Sequence, residues 1–122
     1  MQDFKKLNVW NKSHLLAINI YRATSSFPKS ELYGLTSQIR SACVSVPANI
    51  AEGCGRDSNA DFGHFLQISL GSAHEVQYYI LLAHDLKLLN DNDYDNLDSQ
   101  INEIKRMLIT LIKTVKSEKV YS

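Results

Sequence analysis

Between Leu97 and Val115 a seam of apolar residues, Leu97, Ile101, Ile104, Leu108, Leu111 and Val115, is spaced four, three, four, three, four. That rhythm gathers all six side chains on one face of an α-helix, whereas a strand would scatter them to both of its faces. This part of the chain is therefore an amphipathic helix whose stripe must be covered by other helices. Asp91, Asp93 and Asp95 precede the stripe and suit the positive end of the helix dipole; Lys113, Lys116 and Lys119 suit the other end. The helix is predicted over 92–117, and from Asp93 to Lys116 it would span roughly 36 Å at 1.5 Å per residue.

Three more segments follow the same period. Phe62, Phe65, Leu66, Ser69, Ala73, Val76, Ile80, Ala83 and Leu86 predict a helix over 58–88, with Ser58 as N-cap and Asp61 three residues on as an approximate capping box. Gly71, Ser72 and Ala73 lie inside it and read as a place where another backbone approaches closely, a local kink being the alternative. Leu32, Leu35, Ile39, Ala42, Val46 and Ile50 predict a helix over 29–53. Pro47 falls within it and should bend it, and Gly53 and Gly55 end it. A proline there leaves the Cys43 carbonyl without its N–H partner, and a nearby polar side chain such as Asn49 is expected to supply one.

The first segment, over 9–24, carries Trp10, Leu15, Ala17, Ile18, Ile20 and Tyr21 on more than one face. Such a helix needs cover nearly all round, which in a chain of 122 residues points to a partner subunit. Short breaks at 24–28, 53–57 and 89–92 separate the four segments. Short connections make successive helices antiparallel, so the expected fold is all-α, a single up-and-down four-helix bundle over 1–122.

Charge and composition remove several classes. Lys+Arg and Asp+Glu are both 13, so the totals do not describe a strongly basic nucleic-acid binder. No stretch approaches the roughly 18–20 uncharged apolar residues of a membrane span, and Met1 to Lys6 lacks the apolar core of a signal peptide. Cys43 and Cys54 make neither a disulfide framework nor a four-cysteine zinc site, and a reducing, cytoplasmic setting is expected.

Chemistry is thin. His64, His74 and His84 recur every ten residues, which sets neighbours about 80° apart around the helix and about 15 Å along it, too far to share a metal. A bundle metal site needs repeated Glu-x-x-His pairs; Asp61 and His64 form a lone Asp-x-x-His, and Tyr78 stands where a zincin starting at His74-Glu75 needs its second histidine. Cys43 reads as core filler, while Cys54, flanked by Gly53, Gly55 and Arg56, is expected to be more exposed and somewhat activated. The loop from Gly53 to Ser58 could hold an anion at a helix start, although a turn explains both glycines. Asn49, Glu52, Arg40 and Gln38 are expected to knit the bundle by hydrogen bonds rather than line a site. No cofactor, metal or small-molecule substrate is indicated. Locally, the chain is acidic at Asp85, Asp91, Asp93, Asp95 and Asp98 and basic at Lys105, Arg106, Lys113, Lys116 and Lys119. An antiparallel bundle would then be charged oppositely at its two ends, and an oligomer would repeat the basic patch as a ring.

The chain opens Phe4-Lys5-Lys6-Leu7-Asn8-Val9-Trp10 and continues with Phe27-Pro28-Lys29-Ser30-Glu31-Leu32-Tyr33-Gly34-Leu35 and Gln38-Ile39-Arg40-Ser41-Ala42. It then carries Val44-Ser45-Val46-Pro47-Ala48-Asn49-Ile50-Ala51-Glu52-Gly53 and a long run from Phe62 through Gly71-Ser72-Ala73-His74-Glu75. These stretches resemble the bacterial 23S ribosomal RNA intervening-sequence proteins over almost the whole chain. Pro47, Asn49, Glu52, Gly53, Gly71, Ser72 and Glu75 carry the most specific part of the likeness, and Val46 and Pro47 stand where many members have isoleucine and a small residue. The resemblance implies an antiparallel four-helix bundle assembled as a ring-shaped homopentamer. The family is similar in turn to the accessory proteins of diversity-generating retroelements, pentameric bundles that bind nucleic acid and a reverse transcriptase, but those are basic and this chain is neutral. The expected function is a non-enzymatic oligomeric binding or scaffold module. Structured RNA or a nucleoprotein is its expected ligand, held by Arg40, Arg56, Lys105, Arg106 and Lys113 repeated by symmetry. The alternative is a protein-binding or structural homo-oligomer with no nucleic-acid contact; a third reading is an enzyme with a site at Asn49, Glu52 and Glu75.

Overall fold

Each apolar stripe ends where the sequence supplies a cap or a turn, and those ends set the architecture. A computed structural model describes residues 2–121, with side chains as far as Glu118. It contains α1 (Asn8–Thr24), α2 (Leu35–Cys54), α3 (Asn59–Asp85) and α4 (Asp91–Tyr121), with 3-10 turns at Phe4–Lys6 and Lys29–Glu31. The α2–α3 and α3–α4 pairs pack most extensively, α1 packs on α2 and closes the ring of helices against α4, and the diagonal pairs are not neighbours. The result is an all-α, up-and-down four-helix bundle. Among the described residues no helix is long and apolar enough to cross a membrane.

The caps are specific. Ser58 Oγ accepts the Asp61 N–H at 3.1 Å and opens α3 as its sequence position predicts. Asn90 Oδ1 does the same for α4, accepting the Asp93 N–H at 2.7 Å. The α3 C-terminus closes in a left-handed residue, Lys87 at φ 63°, with the Leu88 N–H on the Ala83 carbonyl and the Lys87 N–H on His84, the paired pattern that usually employs glycine.

The start of α2 departs from expectation. The predicted beginning at 29 is a 3-10 turn, and the α-helix starts only at Leu35. The Glu31 carboxylate accepts the Leu35 N–H at 3.3 Å at the observed helix start, six residues beyond the predicted one. Leu32, expected in the stripe, is consequently exposed. The other ends shift modestly: α3 stops at Asp85 rather than 88, and α4 continues to Tyr121 rather than 117. The side chain of Lys119 lies outside the described residues.

The core is the set of predicted stripes, with Leu16, Ile20, Ile39, Ile50, Leu66, Ile80, Ile101, Ile104 and Leu108 fully buried. At the far end of α4 the seam drifts: Ile112 enters the core and Leu111 is only partly covered, as a helix of 3.6 residues per turn must drift against a strict 3.5 repeat. Pro47 does not divide α2, which runs unbroken through it. The expected bond from Asn49 to the Cys43 carbonyl, the one that Pro47 frees, does not form. Asn49 Nδ2 donates to the Ser45 carbonyl at 2.8 Å and to Ser45 Oγ at 2.9 Å, and the buried Ser69 hydroxyl of α3 donates to the Val46 carbonyl at 2.8 Å. A side chain four residues on lies over residue i, so Asn49 reaches Ser45 and not Cys43, six residues back. Ser45 Oγ also meets Ser72 Oγ at 2.8 Å, which ties the proline region of α2 to the small-residue stretch of α3.

Candidate nucleic-acid interface

The charge segregation read from the sequence is present along the bundle. At the α3–α4 turn, Asp85, Asp91, Asp93 and Asp95 are exposed and Asp98 partly so. Burial first, and then the charges of Asp98, Asp85 and Asp95, raise the Tyr94 phenol above its ordinary range. His84 answers this cluster, with Nε2 2.7 Å from Asp91 Oδ1 and its ring stacked on Tyr94 at 4.2 Å. From the middle of α4 toward its other end, Arg106, Lys113 and Lys116 are exposed and have no acidic side chain within 4 Å among the described residues. The antiparallel closure brings the amino-terminal turn beside them, because Leu7, Asn8 and Val9 share a groove of about 400 Å³ with Arg106, Met107 and Leu111. Lys5 and Lys6 in that turn are exposed. Lys12 on α1 is 2.5 Å from Glu103 on α4; the hydrogen bond first, and then the lysine charge, hold that carboxyl below its ordinary range.

The five predicted binding cations do not converge. Arg106 and Lys113 share the exposed face of α4, seven residues apart. Lys105 turns inward, its Nζ 2.5 Å from Gln77 Oε1, in a network where Gln77 Nε2 also bonds Asp98 at 3.1 Å and Asn102 at 3.0 Å. Arg56 lies at the α2–α3 turn, paired with Glu52 at 2.6 Å and 4.7 Å from the Phe65 ring. Arg40 clasps α1, donating from Nε to Thr24 Oγ1 at 2.8 Å and from Nη2 to the Tyr21 carbonyl at 3.2 Å. Arg40 thus joins α2 to α1 by hydrogen bonds, and Gln38 meets the Tyr79 hydroxyl of α3 at 3.4 Å, as expected of the knitting group, whereas Asn49 bonds only within α2. Glu52 remains on the exposed side with Arg56, and Glu75 is exposed on α3.

Cys54 corrects its sequence reading. It is 2% exposed, and burial and the nearby Asp3 carboxylate push its thiol up rather than down. The loop glycines that suggested exposure sit beside it, but the Gln2 N–H is bonded to the Cys54 carbonyl at 2.9 Å, so the start of the chain covers the end of α2. Burial pushes the Cys43 thiol up to about 12. Among the described residues no three metal-ligating side chains come together.

A model of the 23S rRNA-intervening sequence protein family matches residues 5–110. The chain belongs to that family. Among solved structures it is similar to a protein of unknown function from the S23 ribosomal protein family of Bacteroides thetaiotaomicron VPI-5482. The two share 28% sequence identity and superpose with a TM-score of 0.79, over 86% of this chain and 95% of that one. No curated protein matches. Gly53 and Ser72 pack α2 on α3 and Asn49 serves the proline turn, whereas Gly71 faces away from the bundle and a Cβ there would meet no atom within 4 Å.

One feature of the surface is not announced by any motif. A cleft of about 430 Å³ opens where the end of α1 meets the start of α2, lined by Tyr21, Leu32, Tyr33, Thr36, Ser37, Arg40 and Ser41. Its one signal in the sequence is Thr36, a polar residue three positions before Ile39 and seven before Cys43, on the buried side of α2.

Proposed function

We propose that this protein is a non-enzymatic, ring-forming homo-oligomer, a pentamer by family resemblance, that binds structured RNA along its basic edge. The observation that carries the RNA reading is the placement of Arg106, Lys113 and Lys116. They are exposed, have no acidic side chain within 4 Å among the described residues, and run from the middle of α4 away from its aspartates, alongside the amino-terminal segment that follows Lys5 and Lys6. Zero net charge is no obstacle, because a ring repeats a local patch several times on one rim. Support for assembly comes from apolar surface the monomer does not cover: Leu15 on α1, Ile68, Tyr78 and Leu81 on α3, Ile109 on α4, and the bare backbone at Gly71.

Fluorescence anisotropy against a ribosomal RNA fragment, repeated over a salt series, tests the RNA reading. Replacing Arg106 and Lys113 together with alanine is expected to reduce the slope of log K against log salt by up to about 2 for each subunit in contact. Binding that is indifferent to salt, or to both substitutions, would leave the protein-scaffold alternative in its place. Assembly is tested by light scattering on a sizing column. The wild type is expected well above the 13.8 kDa of one chain, and Gly71→Trp, at an exposed position where an added Cβ meets nothing within 4 Å in the monomer, is expected to lower that mass. A wild type at the monomer mass would end the ring reading.

A further inference from the structure

The cleft between α1 and α2 combines three features. The first is an unsatisfied hydroxyl. Thr36 is 4% exposed, and its Oγ1 is the one buried side-chain polar atom without a hydrogen-bond partner among the described residues. The other buried hydroxyls are served: Ser13 donates to the Trp10 carbonyl at 2.9 Å, Thr24 to Ile20 at 2.7 Å and Ser69 to Val46 at 2.8 Å. A buried unpaired hydroxyl lowers stability where valine would fit the same space.

The second feature is a fixed cation with capacity to spare. The Arg40 guanidinium lies 4.6 Å from the Tyr21 ring, and its bonds to Thr24 and to the Tyr21 carbonyl use two of its five N–H groups. Those bonds set the plane and leave the other three donors for a ligand. Ser37 and Ser41 line the same cleft, and the N–H groups of Thr36 and Ser37 belong to the first turn of α2, where no intrahelical acceptor exists.

The third feature is a flat, wet aromatic face. Tyr33 is 94% exposed, and Tyr21, beneath Arg40, is 45% exposed. A carboxylate or a bare phosphate would use the donors and ignore the rings, and an apolar ligand would do the reverse. A phosphate joined to an aromatic base uses both.

We propose that this cleft holds one unpaired nucleotide, its phosphate on Arg40, Thr36 and Ser37 and its base stacked on Tyr33. For a nucleotide within a strand, the proposal rests on the RNA reading above; a free nucleoside monophosphate has the same chemistry. Glu31 supplies a check of sign. Its carboxylate holds the neighbouring Leu35 N–H and opposes an anion, so Glu31→Gln is expected to tighten phosphate binding about threefold.

The experiment titrates the intact protein with 5′-AMP, inorganic phosphate, single-stranded oligoadenylate and a blunt RNA duplex. The single strand is expected to bind more tightly than the duplex, and AMP more tightly than phosphate. Tyr33→Ala should weaken the single strand about tenfold, and Thr36→Val about fivefold without lowering the melting temperature, so that lost binding is not lost folding. If RNA binds and neither substitution changes it, the cleft proposal falls and the RNA reading stands. Saturable AMP binding with no binding of either RNA keeps the cleft and removes the RNA reading. If Tyr33→Ala instead reduces the oligomer mass, the cleft is a subunit contact and the proposal is overturned. No binding of any probe overturns both.

Discussion

Gly53→Ala should destabilise the bundle while Gly71→Ala stabilises it. Both glycines are helical, so each substitution gains helix propensity, about 0.5–1 kcal/mol. At Gly53 the new methyl would lie 2.9 Å from Phe62 Cδ1, 3.0 Å from Phe65 Cβ and 3.3 Å from the Phe62 carbonyl oxygen. Phe62 is itself buried at 4% exposure, so its ring has no free direction in which to yield. Overpacking of this kind costs about 1–3 kcal/mol, which outweighs the propensity gain. At Gly71 nothing in the same chain stands within 4 Å, so the gain within one subunit is undiminished. Urea unfolding of the two variants beside the wild type checks the contrast. Equal shifts of the same sign would mean that α2 and α3 do not approach as closely at Gly53 as described.

The second large effect is alkaline. Burial raises the Cys43 thiol from an ordinary value near 9 to about 12, against a smaller opposing pull from Arg40. In the unfolded chain the thiol ionises above pH 9, while in the bundle it keeps its proton. The contribution is therefore fully present below pH 9 and declines as pH rises toward 12. Each pH unit in that window costs about 1.4 kcal/mol, so the loss between pH 9 and 11 is roughly 3 kcal/mol. Cys43→Ala lacks this slope, while both proteins share the titrations of lysine and tyrosine. The difference between their urea midpoints should therefore narrow steadily from pH 9 to 11. Parallel pH profiles for the two proteins would show that Cys43 is solvated. The same burial makes both thiols inert to iodoacetamide at pH 8 until the protein unfolds.

Periodicity carried most of the fold. Ile101, Ile104 and Leu108, or Leu66, Ala73 and Val76, are buried because a 3.6-residue repeat leaves them no other face to occupy. Ser58 was legible as a cap because capping is local. What could not be read was everything that depends on how one helix crosses another. Arg40 read both as a bundle-knitting residue and as a binding cation, and its partners, Tyr21 and Thr24, come from α1 and could not be named from its own helix. Lys105 looked like part of a basic face until Gln77 on α3 drew it in. Cys54 sat among glycines and an arginine, yet the start of the chain buries it through one backbone bond. Of the predicted interface, Arg106 and Lys113 remain together because both belong to one helix, where seven residues fix their relation without tertiary help. At the late start of α2 the Glu31 carboxylate takes a helix N–H that a propensity argument assigns to no one.

The cyclic order of the helices also governs how the chain reaches its structure. Three of the four packed edges join helices adjacent in sequence, and only the α1–α4 edge unites distant parts of the chain. Formation can begin in the extensively packed α2–α3 and α3–α4 hairpins at little cost in loop closure, which favours rapid folding. The α1–α4 seam bears the largest loop entropy and the least packing, so α1 should dock last and its amides should exchange with solvent ahead of those in α3.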